Sequence, residues 1–143
     1  MAKLGRYSAD RKKIESPTAN KTITVADCGT IFVLNEATGF TTLTLPAASS
    51  AGKGWWCRFV LGSLTGGANV DISIVVNTAD ADKFHARISA GALSGSAANA
   101  NDGIKFDTSE CAVGDYVEVY TDSTNWYANG MVSGSAALIA HNA

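Results

Sequence analysis

The chain has 143 residues, 46% of them hydrophobic and 17% charged, with a formal net charge of −2. A chain of this length favours one domain, which can bury about two-thirds of its unfolded surface without metal ions or disulfide bonds. The composition is too apolar for a disordered chain, and no apolar run reaches the roughly 18 residues of a membrane helix. Because no signal-peptide core is visible either, we expect neither secretion by that route nor a membrane partner.

The charge is unevenly distributed along the chain. Residues 1–15 contain five basic and two acidic side chains, a net charge of +3, whereas the remainder contains six basic and eleven acidic, a net charge of −5. Residues 1–20 show no strand alternation, and Ser16–Pro17 ends any helix. We therefore expect an extended N-terminal arm over residues 1–20, with a structureless terminus as the alternative. A basic arm suits an acidic protein surface or nucleic acid, and the acidic body disfavours nucleic acid.

From Lys21 onwards, short apolar runs alternate with turn residues and predict an all-β domain over residues 21–143. Strands are predicted at 22–25, 30–34, 40–45, 55–61, 70–76, 84–88 and 104–106. The predicted core positions are Ile23, Val25, Leu43, Leu45, Trp55, Cys57, Phe59, Leu61, Val70, Ile72, Ile74 and Val76. Residues 47–54 are predicted to be a flexible connection. Residues 89–102, rich in Gly, Ala, Ser and Asn, are predicted to be the longest unstructured insertion.

The segment from Asp115 to Val132 predicts a β-hairpin at the centre of a sheet. Val117 and Val119 point to one face, and the intervening Tyr and Glu side chains point to the other. The cluster 121–125 is rich in turn-forming residues, and Trp126–Tyr127 opens the returning strand. For residues 136–139 we expect either a last short strand or a tail that docks on the domain.

About nine short strands with regular turns and no amphipathic helix predict the fold class. We expect an all-β fold, an antiparallel β-sandwich or barrel-like knob of the β-tulip or jelly-roll type, with an extended N-terminal arm. Such a fold must protect its edge strands, and oligomerisation is one way to do so.

Catalytic and metal-binding patterns are not apparent. His85 lies on the outward face of its predicted strand, and no nucleophile elbow, HExxH motif or phosphate loop occurs. The three cysteines lack a CxxC spacing, which favours reduced, mostly buried thiols. Asp80 and Asp82 offer too few oxygen ligands for calcium. We therefore expect no enzyme activity, no catalytic residues, no cofactor and no metal site.

Aromatic residues form a candidate binding face. Trp55–Trp56 and Trp126–Tyr127 are adjacent pairs, so one member of each pair should be in the core and the other outside. The exposed members suit a subunit interface or a ligand such as a sugar, and we favour the interface. The candidate residues for this face are Trp56, Tyr116, Tyr120, Trp126 and Tyr127.

Two segments carry a resemblance to a known family. Residues 113–130, VGDYVEVYTDSTNWYANG, resemble the pattern GD.VE..SDGTNWYV.G of small structural proteins of tailed bacteriophages. Residues 42–48, TLTLPAA, with the following Ala51–Gly52 and aromatic strand, are similar to their ITLPAA..AG..Y.F segment, and the opening Lys3–Tyr7 also resembles their start. The similarity spans most of the chain. Ser123 stands where the pattern usually has Gly, so we expect that the turn needs no positive φ there.

The resemblance implies a non-enzymatic virion protein, and we favour a capsid decoration (cement) protein. Such a protein would bind the outer capsid surface as a homotrimer after synthesis in the host cytoplasm. Its partners would be the major capsid protein and other copies of itself, without nucleic acid. In decoration proteins that this chain resembles, an N-terminal arm commonly lies on the shell. The capsid-binding residues implied here are Leu4, Arg6, Tyr7, Arg11, Lys12, Lys13 and Ile14.

The alternative is a receptor- or carbohydrate-binding module of a phage head fibre or tail fibre. In that case Trp56, Tyr127 and the segment 89–102 would be exposed to the ligand. A decoration protein should bind empty capsids stoichiometrically, whereas a fibre module should bind cells or glycans.

Overall fold

A computed structural model describes residues 11–36, 41–64, 70–77, 83–90 and 94–141. This part of the chain is mostly β, with one four-residue helix, α1 (Ala48–Ala51), and one 3-10 turn, Val25–Asp27. The strands are β1 (Lys13–Glu15), β2 (Lys21–Thr22), β3 (Thr30–Asn35), β4 (Thr42–Thr44), β5 (Trp56–Ser63), β6 (Ile72–Val75), β7 (Phe84–Ala90), β8 (Ser94–Asn101), β9 (Gly103–Phe106), β10 (Tyr116–Thr121), β11 (Trp126–Val132) and β12 (Leu138–His141).

The strands form two sheets, which confirms the all-β sandwich. The seven-stranded sheet has the order β1-β3-β5-β10-β11-β7-β8, and the five-stranded sheet has the order β12-β9-β6-β4-β2. Neither sheet closes into a barrel within the described residues. The expectation of antiparallel sheets is wrong, because β3 pairs in parallel with β5, β4 with β6 and β11 with β7. The chain alternates between the sheets from β3 to β6, so successive strands of one sheet run in the same direction.

The predicted core positions are largely confirmed. Apolar side chains on alternate positions of the strands point into the space between the two sheets, as the pleat requires. Two predicted core positions, Val25 and Val70, are not buried. Val25 lies in the 3-10 turn and is 46% exposed. Val70 is half-buried. The predicted positions that are buried are Ile23, Leu43, Leu45, Trp55, Cys57, Phe59, Leu61, Ile72, Ile74 and Val76.

The predicted hairpin lies at the centre of the larger sheet. β10 is the fourth of seven strands and pairs antiparallel with both β5 and β11. Val117 and Val119 are fully buried, which confirms the predicted inward face. Gly130 of β11 has no room for a Cβ, which would overlap the Tyr116 carbonyl oxygen and lie 2.8 Å from the Val117 Cα. The close approach of the two central strands therefore depends on this glycine.

Two predicted connections contain regular structure. Within residues 89–102, predicted to be unstructured, β8 pairs antiparallel with β7. β8 is rich in Gly, Ala and Ser, so its sequence shows no hydrophobic alternation, although its main chain pairs with β7. The connection 47–54 contains α1, which buries Ala48. The expected nine strands are twelve among the described residues, and the additional ones are β1, β8 and β12.

Candidate interaction surface

The outer face of the seven-stranded sheet carries an aromatic row that crosses four strands. Trp56 of β5 pairs with Tyr120 of β10, Tyr120 pairs with Tyr127 of β11, and Tyr127 pairs with His85 of β7. Residues that pair across neighbouring strands project to the same side of a sheet, so these four side chains lie side by side. We call this set the aromatic row.

Three rings of the aromatic row, those of Tyr120, Tyr127 and His85, are stacked on one another. The ring centroids of Tyr120 and Tyr127 are 5.6 Å apart with an interplanar angle of 23°, and those of His85 and Tyr127 are 5.7 Å apart at 27°. Tyr127 therefore has a ring against each of its faces. Offset stacking of this kind orders the side chains and presents ring edges outward.

The β10–β11 turn fixes the end of the aromatic row. The Asp122 carboxylate accepts hydrogen bonds from the backbone N–H of Asn125 and of Thr124, both at 2.8 Å, and from the Tyr127 hydroxyl at 3.0 Å. These bonds, the backbone ones foremost, lower the pKa of Asp122. The bond to the carboxylate raises the pKa of Tyr127.

Ser123, at the tip of this turn, has a φ of 78°. The expectation that the turn needs no positive φ at this position is therefore wrong. Thr121 holds the conformation, because its hydroxyl accepts a bond from the Ser123 N–H at 3.0 Å and donates to the Asn125 carbonyl oxygen at 2.8 Å. The bonds of Thr121 thus hold a positive φ at Ser123, a position where the phage pattern has the glycine that adopts this conformation without strain.

A charged row lies next to the aromatic row. Arg58 of β5 donates from Nη2 at 2.8 Å and from Nε at 3.2 Å to Glu118 of β10. Its guanidinium also lies 5.1 Å from the centre of the Tyr116 ring, a cation–π geometry. Asn129 and Arg87 continue the row on β11 and β7, and both are exposed.

The third row of this face is apolar. Val33 pairs with Val60, Val60 with Tyr116, and Tyr116 with Met131. The first three side chains are half-buried and Met131 is 57% exposed. The outward positions of the five-stranded sheet are mostly polar, and its apolar members are Val75 and Ile139. The polar ones include Thr22, Thr42, Thr44, Ser73 and Lys105. Large apolar and aromatic side chains are therefore concentrated on one of the two outer faces.

The root of the N-terminal arm joins this same face. β1 pairs in parallel with β3, so residues 13–15 of the predicted arm belong to the sheet. Ile14 lies opposite Ile31, which in turn lies opposite Arg58, so Ile14 extends the charged row. Ile14 is 64% exposed. Arg11 and Lys12 are exposed, and Lys13 forms an ion pair with Asp27 at 3.1 Å.

The structure thus brings five of the twelve predicted site residues together on one face. Trp56, Tyr116, Tyr120, Tyr127 and Ile14 share the outer face. Leu4, Arg6 and Tyr7 lie outside the described residues.

Trp126 does not belong to this face. Its side chain is fully buried and packs edge-on against Trp55, with ring centroids 5.4 Å apart. Strand alternation places Trp126 inward because its neighbour Tyr127 points outward. Sequence reasoning also missed His85, Arg58 and Met131 as members of the face, although their outward positions were readable from the same alternation.

A cavity of about 240 Å³ borders the apolar row near the start of β10. The Asp115 carboxylate at this cavity accepts hydrogen bonds from the Ser133 N–H at 3.0 Å, the Ser133 hydroxyl at 2.7 Å and the Ala112 N–H at 3.0 Å. Asp115 therefore ties together the chain segments that enter β10 and leave β11. The cavity is lined by Ser89, Asp115, Met131, Val132 and Ser133.

The thiols differ in burial. Cys57 is buried, and burial raises the pKa of its thiol well above the ordinary value. Burial and nearby carboxylates raise the pKa of the half-buried Cys111 to about 12. Cys28 is exposed, so the expectation of mostly buried thiols is wrong for this residue.

Among the described residues, no group of three or more His, Cys, Asp or Glu side chains is arranged to hold a metal ion. Asp80 and Asp82 lie outside these residues. None of the described helices is long and apolar enough to cross a membrane. No protein-family model matches the chain, and comparisons with curated proteins and with solved structures find no significant match.

Proposed function

We propose that this chain is a non-enzymatic capsid decoration protein of a tailed bacteriophage that binds the outer capsid surface and stabilises the shell. The observation that carries the proposal is the pairing of Ile14 with Ile31, which joins the basic arm to the outer face of the seven-stranded sheet. Arm and face can therefore contact one partner surface together. The phage resemblance of residues 42–52 and 113–130 supplies the class of partner, the major capsid protein.

The residue types on this face support a protein partner. Trp, Tyr, Met and Arg are enriched at protein interfaces, whereas Ser is depleted there. The outer face of the seven-stranded sheet presents Trp56, Tyr120, Met131 and Arg87, whereas Thr and Ser line part of the other outer face. The phage resemblance also implies a homotrimer, whose contacts between copies would have to lie outside the area of this face that the capsid covers.

The ring geometry favours this function over a carbohydrate-binding module. A sugar ring stacks on an aromatic face that is open to solvent. Both faces of Tyr127 are against other rings, and its hydroxyl is engaged by Asp122. The head-fibre or tail-fibre alternative would therefore have to rely on Trp56 or on the segment 89–102.

Co-sedimentation with capsid shells of the encoding phage tests the proposal. The full chain should bind the shells stoichiometrically, and deletion of residues 1–12, which leaves β1 intact, should weaken binding. Lys12→Glu should weaken binding as well, whereas Lys53→Glu, an equal charge change at an exposed residue beyond α1, should not. Tyr120→Ala tests the face in the same assay.

The outcomes separate the candidate functions. Shell binding that is lost in both the arm and the face variants supports the decoration role. Absence of shell binding by the full chain, together with binding to a glycan array that Trp56→Ala removes, would favour the receptor-binding module instead. Light scattering of the full chain at several concentrations measures whether it is a trimer.

A further inference from the structure

Four charged side chains form a cluster where β1 and β2 meet at one edge of the sandwich. Lys21 of β2 forms an ion pair with Glu15 of β1, and its Nζ lies 3.9 Å from Oδ2 of Asp27. Lys13 of β1 lies 3.1 Å from Oδ1 of the same carboxylate. We call Lys13, Glu15, Lys21 and Asp27 the edge cluster. It links the root of the arm in the seven-stranded sheet to the first strand of the five-stranded sheet.

The Asp27 carboxylate is held in place by its own turn. Its Oδ2 accepts hydrogen bonds from the backbone N–H of Thr24 at 2.9 Å and from the Thr24 hydroxyl at 3.0 Å. Burial raises the pKa of Asp27, but the bonds from Thr24 and Lys13 and the charge of Lys21 lower it more, so the net shift is downward. The acceptor is therefore preorganised and remains ionised at neutral pH.

The β1 strand has few other contacts that would hold it. It contains three residues, and its central side chain, Ile14, is 64% exposed. The Lys13 side chain is 55% exposed, whereas that of Asp27 is only 9% exposed. Apolar burial therefore contributes little to β1, and its attachment depends on main-chain pairing with β3 and on the edge cluster.

We propose that β1 is a releasable clasp, in which the edge cluster holds the root of the N-terminal arm against β3 and β1 separates while the remainder of the sandwich stays folded. The inference concerns the isolated chain and stands whether or not the partner is a capsid. Release frees Lys13–Glu15 and the exposed Arg11 and Lys12 before them, so these basic side chains can move away from the body. Ionic strength weakens the clasp, because Lys13, Glu15 and Lys21 are partly exposed, and salt screens ion pairs that solvent reaches.

Limited trypsin digestion of the full chain measures the release. Trypsin cuts after lysine or arginine only where the chain around the bond is unfolded, and Arg11→Gln with Lys12→Gln removes the two exposed sites directly before β1. In that chain, cleavage between Lys13 and Ile14 reports separation of β1. Mass spectrometry follows that cut at about 0.02 M and about 0.5 M salt. A free peptide of residues 8–20 corrects for the effect of salt on the protease. We expect the corrected rate to rise about fivefold at high salt.

Variants assign the effect to the edge cluster. Asp27→Asn and, separately, Lys21→Gln should raise the low-salt rate about fivefold to tenfold and reduce its further increase with salt. Glu118→Gln removes an ion pair elsewhere in the same sheet and should leave the rate unchanged. The buried thiol of Cys57 should stay unreactive throughout, which shows that the body is folded.

Two results would overturn the clasp. One is a cleavage rate after Lys13 that neither salt nor the two cluster variants change. The other is a Cys57 thiol that becomes reactive in step with cleavage, because that would mean global unfolding. The Lys21→Gln variant keeps the test decisive if Asp27→Asn fails to fold, since it leaves the bonds between Thr24 and Asp27 intact.

Discussion

Replacing Ser123 with glycine should stabilise the protein. The φ of 78° at this position is in the left-handed region, where a Cβ costs about 1–2 kcal/mol. Glycine loses about 0.5–1 kcal/mol more backbone freedom on folding, which offsets part of the gain. The bond from the residue 123 N–H to Thr121 Oγ1 does not depend on the side chain. The net expectation for Ser123→Gly is a free energy of unfolding higher by about 0.5–1 kcal/mol.

Differential scanning calorimetry at fixed protein concentration measures this gain. The entropy of unfolding is about 2.1 cal/mol/K per residue, so for 143 residues it is about 0.3 kcal/mol/K. The expected rise in Tm is therefore about 2–3 °C. Ser123→Ala is the matched control, because it removes the hydroxyl but keeps the strained Cβ. A Gly variant no more stable than the Ala variant would refute the idea that the turn is strained at this residue.

Three further results are expected. Gly130→Ala should lower the free energy of unfolding, measured in urea, by more than about 3 kcal/mol, because its Cβ would overlap the backbone of β10. The control Gly134→Ala should change this free energy by less than about 0.5 kcal/mol, because its Cβ would lie 3.7 Å from the nearest atom. The lowered pKa of Asp27 stabilises the fold above the unfolded value of about 3.9, and this contribution is lost as pH falls through the lower folded value. In Asp27→Asn, the urea midpoint of unfolding should therefore fall less steeply than in the unchanged protein as the pH is lowered below about 4. An equally steep fall would contradict the lowered pKa of Asp27. With Ellman's reagent the exposed Cys28 should react in the native protein and Cys57 only after unfolding, and a rapid native reaction of Cys57 would contradict its burial.

Strand positions and buried faces could be predicted wherever apolar residues alternate. Phe59 and Leu61 on β5, and Val117 and Val119 on β10, are buried as their two-residue period requires. β8 could not be predicted in this way, because its sequence, SGSAANAN, has no alternation of large apolar and polar residues. The alternation also does not predict whether neighbouring strands are parallel or antiparallel, because the same side chains point into the core in both arrangements.

The candidate face was only partly predictable for a related reason. Each outward residue is readable from its own strand, but the aromatic row exists because β5, β10, β11 and β7 are neighbours in one register. Strand order and register depend on long-range packing, which a local pattern does not contain. Nothing in the local sequence around Ile14 indicated that it would lie opposite Ile31.

The dimensions of the face suggest why an arm is attached to it. The rows of the face cross six strands, β1, β3, β5, β10, β11 and β7. At a spacing of about 4.8 Å, with about five residues per strand rising 3.3 Å each, they give a footprint of roughly 480 Å². A stable protein interface buries about 800 Å² on each partner. The flat face alone therefore falls short, and the exposed Arg11 and Lys12 before β1 are further residues that the same partner could contact. Because Arg11 and Lys12 directly precede the strand that carries Ile14, the proposed function predicts that arm and face bind as one unit, each weak without the other.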